Sequence, residues 1–146
     1  MKITDYRSEL WPQLEALWIK SWTQTFPQID FEARRGWFNA HMGELQARDY
    51  ATFCAMEGDE LLGFVTFDPE SGHLDQIAVA PSHARKGVGA ALLNQVRARC
   101  EMILLDVNVD NRPARDFYAR EGFEVVSEGV NERSGLKTLH LCWRAA

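Results

Sequence analysis

Two glycines separated by one residue, Gly87 and Gly89, begin a small-residue helical pattern within the segment HARKGVGAALL. A helix that starts there leaves its first backbone N–H groups without partners, and the partial positive charge at that end favours an anion such as phosphate. Glycine has no Cβ atom, so a ligand can approach the backbone closely. Arg85 and Lys86, beside the glycines, offer charge-assisted contacts to such a ligand.

Three interpretations of these glycines are considered: two nucleotide-binding motifs and a tight turn without a ligand. A Walker loop requires Gly-Lys followed by Ser or Thr, but Lys86 precedes Gly87 and no Ser or Thr follows. The run Gly-Val-Gly-Ala-Ala-Leu imitates a Rossmann fingerprint, with Asp106 as its ribose-binding acid. That fingerprint belongs to a doubly wound parallel sheet, whereas the preceding strands have the pattern of antiparallel hairpins. Glycines alone do not exclude a turn without a ligand.

The apolar periodicity predicts a mixed chain of strands and helices around one central sheet. Helices are expected at residues 9–26, 31–45, 87–100 and 112–121, with Asp30 capping the second. Strands are expected at residues 2–6, 52–56, 61–67, 73–79, 102–107, 123–127 and 138–143. The order predicts an α/β (α+β) fold, with a mostly antiparallel sheet of six to seven strands and about four helices.

Composition excludes several classes of partner. The 146 residues carry a formal net charge of -5, whereas nucleic-acid binding requires clustered Lys and Arg, so no nucleic acid is expected. Three scattered cysteines, Cys54, Cys100 and Cys142, predict neither a disulfide framework nor a metal site. The charged N-terminus and the lack of a long apolar run predict a cytoplasmic protein with no membrane contact. We expect one domain over residues 1–146.

Two segments together resemble a known family. LDQIAVAPSHARKGVGAALL is similar to the coenzyme-binding motif of the GNAT superfamily of acyl-CoA-dependent N-acetyltransferases, Gln/Arg-x-x-Gly-x-Gly/Ala after a strand ending in Val-x-Pro. NRPARDFYAREGF resembles that family's Asn-x-x-Ala-x-x-Phe-Tyr-x-x-x-Gly-Phe segment. They occur in the family's order within residues 73–123. One position departs: Ala84 stands where the family has Gln or Arg, and Arg85 comes one position later.

The resemblance implies a GNAT-like fold with splayed central strands and acetyl-CoA bound between the strands at 73–79 and 102–107. The pantetheine arm would lie along the first of these strands, and the pyrophosphate on the amides of the glycine loop. The implied coenzyme-binding residues are Ile77, Ala78, Val79, Arg85, Lys86, Gly87, Val88, Gly89, Ala90 and Asn111. A turn or helix cap is the alternative role for Asn111.

The resemblance also implies direct attack of a primary amine on the thioester, without an acyl-enzyme. Tyr118 resembles the general acid that protonates the departing thiolate; its alternative role is packing on the short last helix. A backbone N–H of Ala78 or Val79 would stabilise the oxyanion. Asp75, just upstream on the coenzyme strand, is the candidate base.

Several features of the implied enzyme stay open. Glu57 and His73 are further candidates for the base, and no partner is expected for His83 or His140. The acceptor amine belongs to a small molecule or a peptide, with the acidic composition favouring the former, and a homodimer is compatible with the sequence. The aromatic residues of the first two helices line either the core or an acceptor pocket. The alternative function is a CoA-binding module that has lost catalysis.

Overall fold

The computed structural model describes residues 1–84 and 86–146, and these form four α-helices and seven strands. The helices are α1 (Trp11–Thr25), α2 (Arg35–Ala47), α3 (Val88–Arg97) and α4 (Arg112–Arg120). The strands are β1 (Lys2–Asp5), β2 (Ala51–Glu57), β3 (Glu60–Phe67), β4 (Leu74–Val79), β5 (Met102–Asn108), β6 (Glu124–Val130) and β7 (Lys137–Arg144). Every predicted element is present, with its ends displaced by a few residues. No helix in these ranges is long and apolar enough to span a bilayer.

The strands form two antiparallel sheets that meet at one point. The N-terminal sheet has the order β1-β2-β3-β4, and the C-terminal sheet has the order β5-β7-β6. Within residues 1–84 and 86–146 one parallel bridge joins them, between His73 and Leu104, where the Leu104 N–H donates to the Gly72 carbonyl at 2.9 Å. This confirms the mostly antiparallel fold with splayed central strands. It also shows that the Rossmann alternative was wrong, because that motif needs a doubly wound parallel sheet.

Gly72 allows the two sheets to approach each other closely at their junction. Its φ is +81°, and a Cβ atom built there would lie 2.0 Å from the carbonyl oxygen of Met102. Only glycine permits both the left-handed backbone and this approach. Past the junction β4 and β5 separate, and we call the gap between them the β4–β5 cleft.

The helices cover opposite faces of the sheets and bury two apolar clusters. α3 and α4 pack on one face, the α3/α4 face, around Leu92, Leu93, Ile103 and Tyr118. α1 and α2 pack on the other, the α1/α2 face, where the Trp18 and Phe38 rings stack with centroids 4.1 Å apart. Most of the predicted aromatic stripe of α1 and α2 therefore serves the core.

Candidate active site

The β4–β5 cleft exposes one edge of the β4 backbone. The Ala80 N–H donates to Leu62 of β3 at 2.8 Å, and Ala78 is in register with Phe64 of β3. Because residues of an antiparallel strand point their backbone groups alternately to either side, those of Ala78 also face β3. The N–H and C=O groups of Ile77 and Val79 consequently point toward the cleft. Their side chains pack on the α3/α4 cluster.

The glycine loop ends at the same part of β4. Gly87 is the N-cap of α3 with φ 82° and ψ 4°, a left-handed conformation. The first intrahelical hydrogen bond runs from the Ala91 N–H to the Gly87 carbonyl at 3.0 Å. The amides of Val88, Gly89 and Ala90 precede that bond, so they form an N–H cluster at the helix end. Lys86 is exposed beside it, and Arg85 lies outside the described residues.

Gly89 lies where α3, β4 and α4 come together. A Cβ atom there would be 3.2 Å from the Phe117 ring of α4 and 3.7 Å from a methyl group of Val79. Such contacts are tighter than ordinary van der Waals packing on the Phe117 side. The structure thus brings the two family-like segments into direct contact, one carrying the loop and the other carrying Phe117 and Tyr118.

Tyr118 is a buried side chain, 6% exposed, in the cluster between α3, α4 and the sheet. Its ring packs edge-on against Phe117 and Phe123, with both centroids 5.3 Å away. The phenol forms no hydrogen bond with any described residue, and burial raises its pKa well above the ordinary value of 10.0. The phenol is therefore a protonated donor over the whole neutral range.

Asn111 takes the capping role at the start of α4. Its Oδ1 accepts a hydrogen bond from the Ala114 N–H at 3.3 Å, as expected of an N-cap residue. This capping hydrogen bond corresponds to the alternative role that the sequence allowed for Asn111. Its side-chain NH₂ makes no hydrogen bond within the described chain and keeps its donors available.

Asp75 is turned onto the α1/α2 face by a β-bulge. The register with β3 passes from Gln76 directly to Leu74, leaving Asp75 as the extra residue. Regular alternation would have placed it on the same face as Ile77 and Val79. Its Oδ2 instead accepts hydrogen bonds from His41 Nε2 at 2.7 Å and Gln76 Nε2 at 3.2 Å. The carboxylate is 15% exposed, so this pair is largely shielded from solvent.

His41 is a candidate functional residue that sequence reasoning did not identify. It lies on α2, and its ring stacks on Trp37 one turn earlier, with centroids 4.7 Å apart. The Arg133 guanidinium, from the connection between β6 and β7, lies 4.0 Å from the Trp37 ring centroid. That connection therefore reaches from the C-terminal sheet to α2, beside the His41–Asp75 pair. The one-turn spacing of Trp37 and His41 is compatible with their stacking, but no sequence pattern pairs His41 with Asp75.

A second carboxylate–imidazole pair lies across the β4–β5 cleft. Asp106 of β5 is hydrogen-bonded to His140 of β7, so His140 does have a partner, contrary to expectation. Asp106 follows the bridge residue Leu104 by two positions, just as Asp75 follows His73. The core residues of β5 alternate with Asp106, which places it on the α1/α2 face as well. Two such pairs thus flank the cleft on one face.

The other candidate bases lie elsewhere. Glu57 is exposed at the β2–β3 hairpin, with β3 between it and β4. His73 stands at the closed end of the cleft, where its Nδ1 is hydrogen-bonded to the Tyr50 hydroxyl at 2.8 Å. His83, which was not a candidate base and for which no partner was expected, is 3.8 Å from the exposed carboxylate of Glu60. None of the three is paired with Asp75 or Asp106.

Comparison with known proteins identified similar sequences. A sequence model described as the Acetyltransferase (GNAT) family matches residues 11–123, more than half of the chain. The peptidyl-lysine N-acetyltransferase YiaC of Escherichia coli (strain K12) is 32% identical over 141 residues, which cover 94% of this chain and 92% of YiaC.

Solved structures share the same fold. The apo form of YjaB from Escherichia coli superposes with a TM-score of 0.77 at 23% identity, covering 99% of this chain and 98% of YjaB. The PaiA N-acetyltransferase from Thermoplasma acidophilum, solved in complex with coenzyme A, gives a TM-score of 0.75 at 18% identity over 99% of both chains. At these identities the similarity concerns the fold.

Proposed function

The chain belongs to the GNAT family of acetyltransferases, and from that premise we propose that it moves an acetyl group from acetyl-CoA to a lysine side chain of a peptide or protein. The family makes it an acyl-CoA-dependent transferase. The main observation behind the proposal is the separation of β4 from β5. It leaves the backbone groups of Ile77 and Val79 facing a cleft, and one carboxylate–imidazole pair lies on either side of that cleft.

The cleft and the glycine loop fit acetyl-CoA. The amides of Val88, Gly89 and Ala90 offer a diphosphate three donors at a helix N-terminus. An amide-bearing pantetheine arm can pair with Ile77 and Val79 as an additional strand. Bound this way, the thioester would be directed into the cleft between Tyr118 and the bulge of β4.

The proposed reaction is direct transfer from sulfur to nitrogen. The lone pair of the neutral amine forms the C–N bond at the thioester carbonyl, and the C–S bond then breaks. The Ile77 N–H, the cleft-facing donor nearest the bulge, stabilises the oxyanion, because the Ala78 N–H is turned toward β3 and the Val79 N–H lies closer to the glycine loop. The Tyr118 phenol donates its hydrogen to the leaving thiolate. Although burial raises the phenol pKa, the same apolar surroundings raise that of the CoA thiol, which keeps donation feasible.

The lysine ammonium first loses one proton to solvent and becomes the neutral amine. Asp75 is proposed as the base that accepts the second proton once the C–N bond forms, directly or through one water. Both protein hydrogen bonds go to its Oδ2, so Oδ1 remains available for that proton. His41 holds the carboxylate in place and is a positioning residue. Asp75 and Asp106 also create a negative field on both sides of the cleft, which favours the approach of a cationic lysine over a neutral acceptor. The peptide acceptor is supported by the name of the 32% identical relative.

Incubation with acetyl-CoA and a lysine peptide tests this function. We expect CoA thiol release together with a mass gain of one acetyl group on an N-terminally blocked peptide that contains one lysine. The matched control is the same peptide with arginine at that position, which should stay unmodified. Acetylation of only small free amines would contradict the peptide acceptor, and no thiol release with any amine would contradict transferase activity in favour of a CoA-binding module.

Replacing Asp75 with Asn should lower kcat/KM by about 10–100-fold at neutral pH, because the amide cannot accept the amine proton. The measurement is kcat/KM with the lysine peptide at neutral pH for D75N and the wild type. His41→Gln, which keeps a side-chain N–H donor to the carboxylate, is the matched control and should lose much less activity. A large loss in H41Q with none in D75N would assign the base to His41 instead.

A further inference from the structure

A second cleft of about 560 Å³ opens on the α1/α2 face of the N-terminal sheet. Its walls come from the N-terminal segment, α1, α2, β2 and β3, and none of its lining residues belongs to β4, α3 or α4. This volume lies within the range of roughly 300–1,000 Å³ that is usual for small-molecule sites. We call it the α2 cleft. It is distinct from the β4–β5 cleft to which acetyl-CoA is assigned.

Helix α2 forms the wall between the α2 cleft and the His41–Asp75 pair. Four of its residues, at helical spacing, line the α2 cleft: Asn39, Met42, Gly43 and Gln46. At 100° per residue, Trp37 and His41 lie roughly opposite this stripe. A ligand in the α2 cleft would therefore contact the side of the helix turned away from the acetyl acceptor.

The residues that line the α2 cleft favour a positively charged ligand. Among the described lining residues Asp5 is the one with a formal charge, and the aromatic residues Tyr6, Trp11 and Tyr50 line the same cleft. Aromatic faces and a carboxylate attract organic cations, while none of the described lining residues is a Lys or Arg that could bind an anion. The Arg48 guanidinium, outside the lining, lies 5.5 Å from the Tyr50 ring centroid and shows that this ring accepts a cation.

Two polar side chains in the α2 cleft can form hydrogen bonds with a ligand. The side-chain amides of Asn39 and Gln46 make no hydrogen bond to any other described residue, so their donors and acceptors can bind a ligand. The hydroxyls of Thr52 and Thr66, by contrast, are 2.8 Å apart and already bonded to each other. Convergent amides over an apolar wall are typical of small-molecule sites.

We propose that the α2 cleft binds a small organic cation, with its apolar body against the rings of Tyr6, Trp11 and Tyr50 and its ammonium group beside Asp5. Because a quaternary ammonium ion has no N–H, it cannot be acetylated, and binding can be measured separately from transfer. The proposal does not depend on the function assigned to the β4–β5 cleft.

The test is a titration of the full chain with benzyltrimethylammonium, followed by backbone amide NMR. We expect saturable shifts centred on Gly43 and Gln46, without comparable shifts from residue 86 to residue 90. Phenylmethanesulfonate, which carries a similar ring and the opposite charge, should give no saturable shifts. Equal binding of both probes, or shifts confined to the β4–β5 cleft, would overturn the proposal.

Two variants locate the cation. Asp5→Asn should weaken benzyltrimethylammonium at least about fivefold, because the ammonium loses its carboxylate. Gly43→Leu should abolish binding by filling the cleft; a Cβ atom at Gly43 meets nothing within 4 Å, so the fold can accept it. Gly36→Leu is the matched control, since Gly36 is on the same helix, also has open space and does not line the cleft. Unchanged affinity in folded D5N or G43L would overturn the assignment.

Discussion

Replacing Tyr118 with Phe is expected to lower kcat for acetyl transfer by about 10²–10³-fold while leaving the affinity for acetyl-CoA nearly unchanged. The substitution removes only the hydroxyl that donates to the leaving thiolate. Since burial raises the phenol pKa above 10.0, the wild-type donor stays protonated through neutral and mildly alkaline pH. Its loss should therefore lower kcat by a similar factor across that pH range. Steady-state kinetics and calorimetry with CoA measure the two quantities.

Protein stability separates this catalytic role from packing. The Phe ring retains the edge-on contacts with Phe117 and Phe123. The phenol forms no hydrogen bond with a described residue, so its removal leaves no protein group unsatisfied, and the free energy of unfolding should change by less than about 1 kcal/mol. If kcat stayed at the wild-type value in this folded variant, Tyr118 would be a core residue without a part in catalysis.

The residues proposed to hold the coenzyme could be selected from the sequence because the signals that point to them are local. Gly87 and Tyr118 each lie within a short segment whose spacing resembles a family motif, and α3 and α4 begin close to where apolar periodicity predicted. Antiparallel pairing of β2 with β3 agrees with the hairpin pattern predicted for these strands. These features depend on residues that are close along the chain, so they can be recognised from residue spacing in the sequence.

The acceptor side depends on contacts that no local pattern encodes. His41 and Asp75 are 34 residues apart, and they meet because a bulge reverses the expected side of Asp75. Arg133 reaches Trp37 only through the folding of the β6–β7 connection onto α2. In the same way, the role of Gly72 depends on a distant contact, because its lack of a Cβ atom is what lets β4 approach β5.

Replacing both Gly87 and Gly89 with Val is expected to weaken CoA binding by more than about 100-fold. Valine strongly disfavours the left-handed conformation held by Gly87 at φ 82°, so the amides that begin α3 should turn away from the diphosphate. At position 89 even the first side-chain carbon would be 3.2 Å from the Phe117 ring, which would push α3 and α4 apart at the entrance to the loop. Isothermal titration calorimetry with CoA measures the loss.

The matched control for this double variant is Gly58→Val in the β2–β3 hairpin. Gly58 has a positive φ of 60° with open space around its Cβ position, so valine there creates a similar backbone strain far from the loop. Its binding isotherm for CoA should match that of the wild type. The fall in its thermal midpoint measures the cost of placing valine at a positive φ, and a similar cost is expected at Gly87. If the double variant is folded and binds CoA as tightly as this control, the backbone amides at the start of α3 do not hold the coenzyme diphosphate.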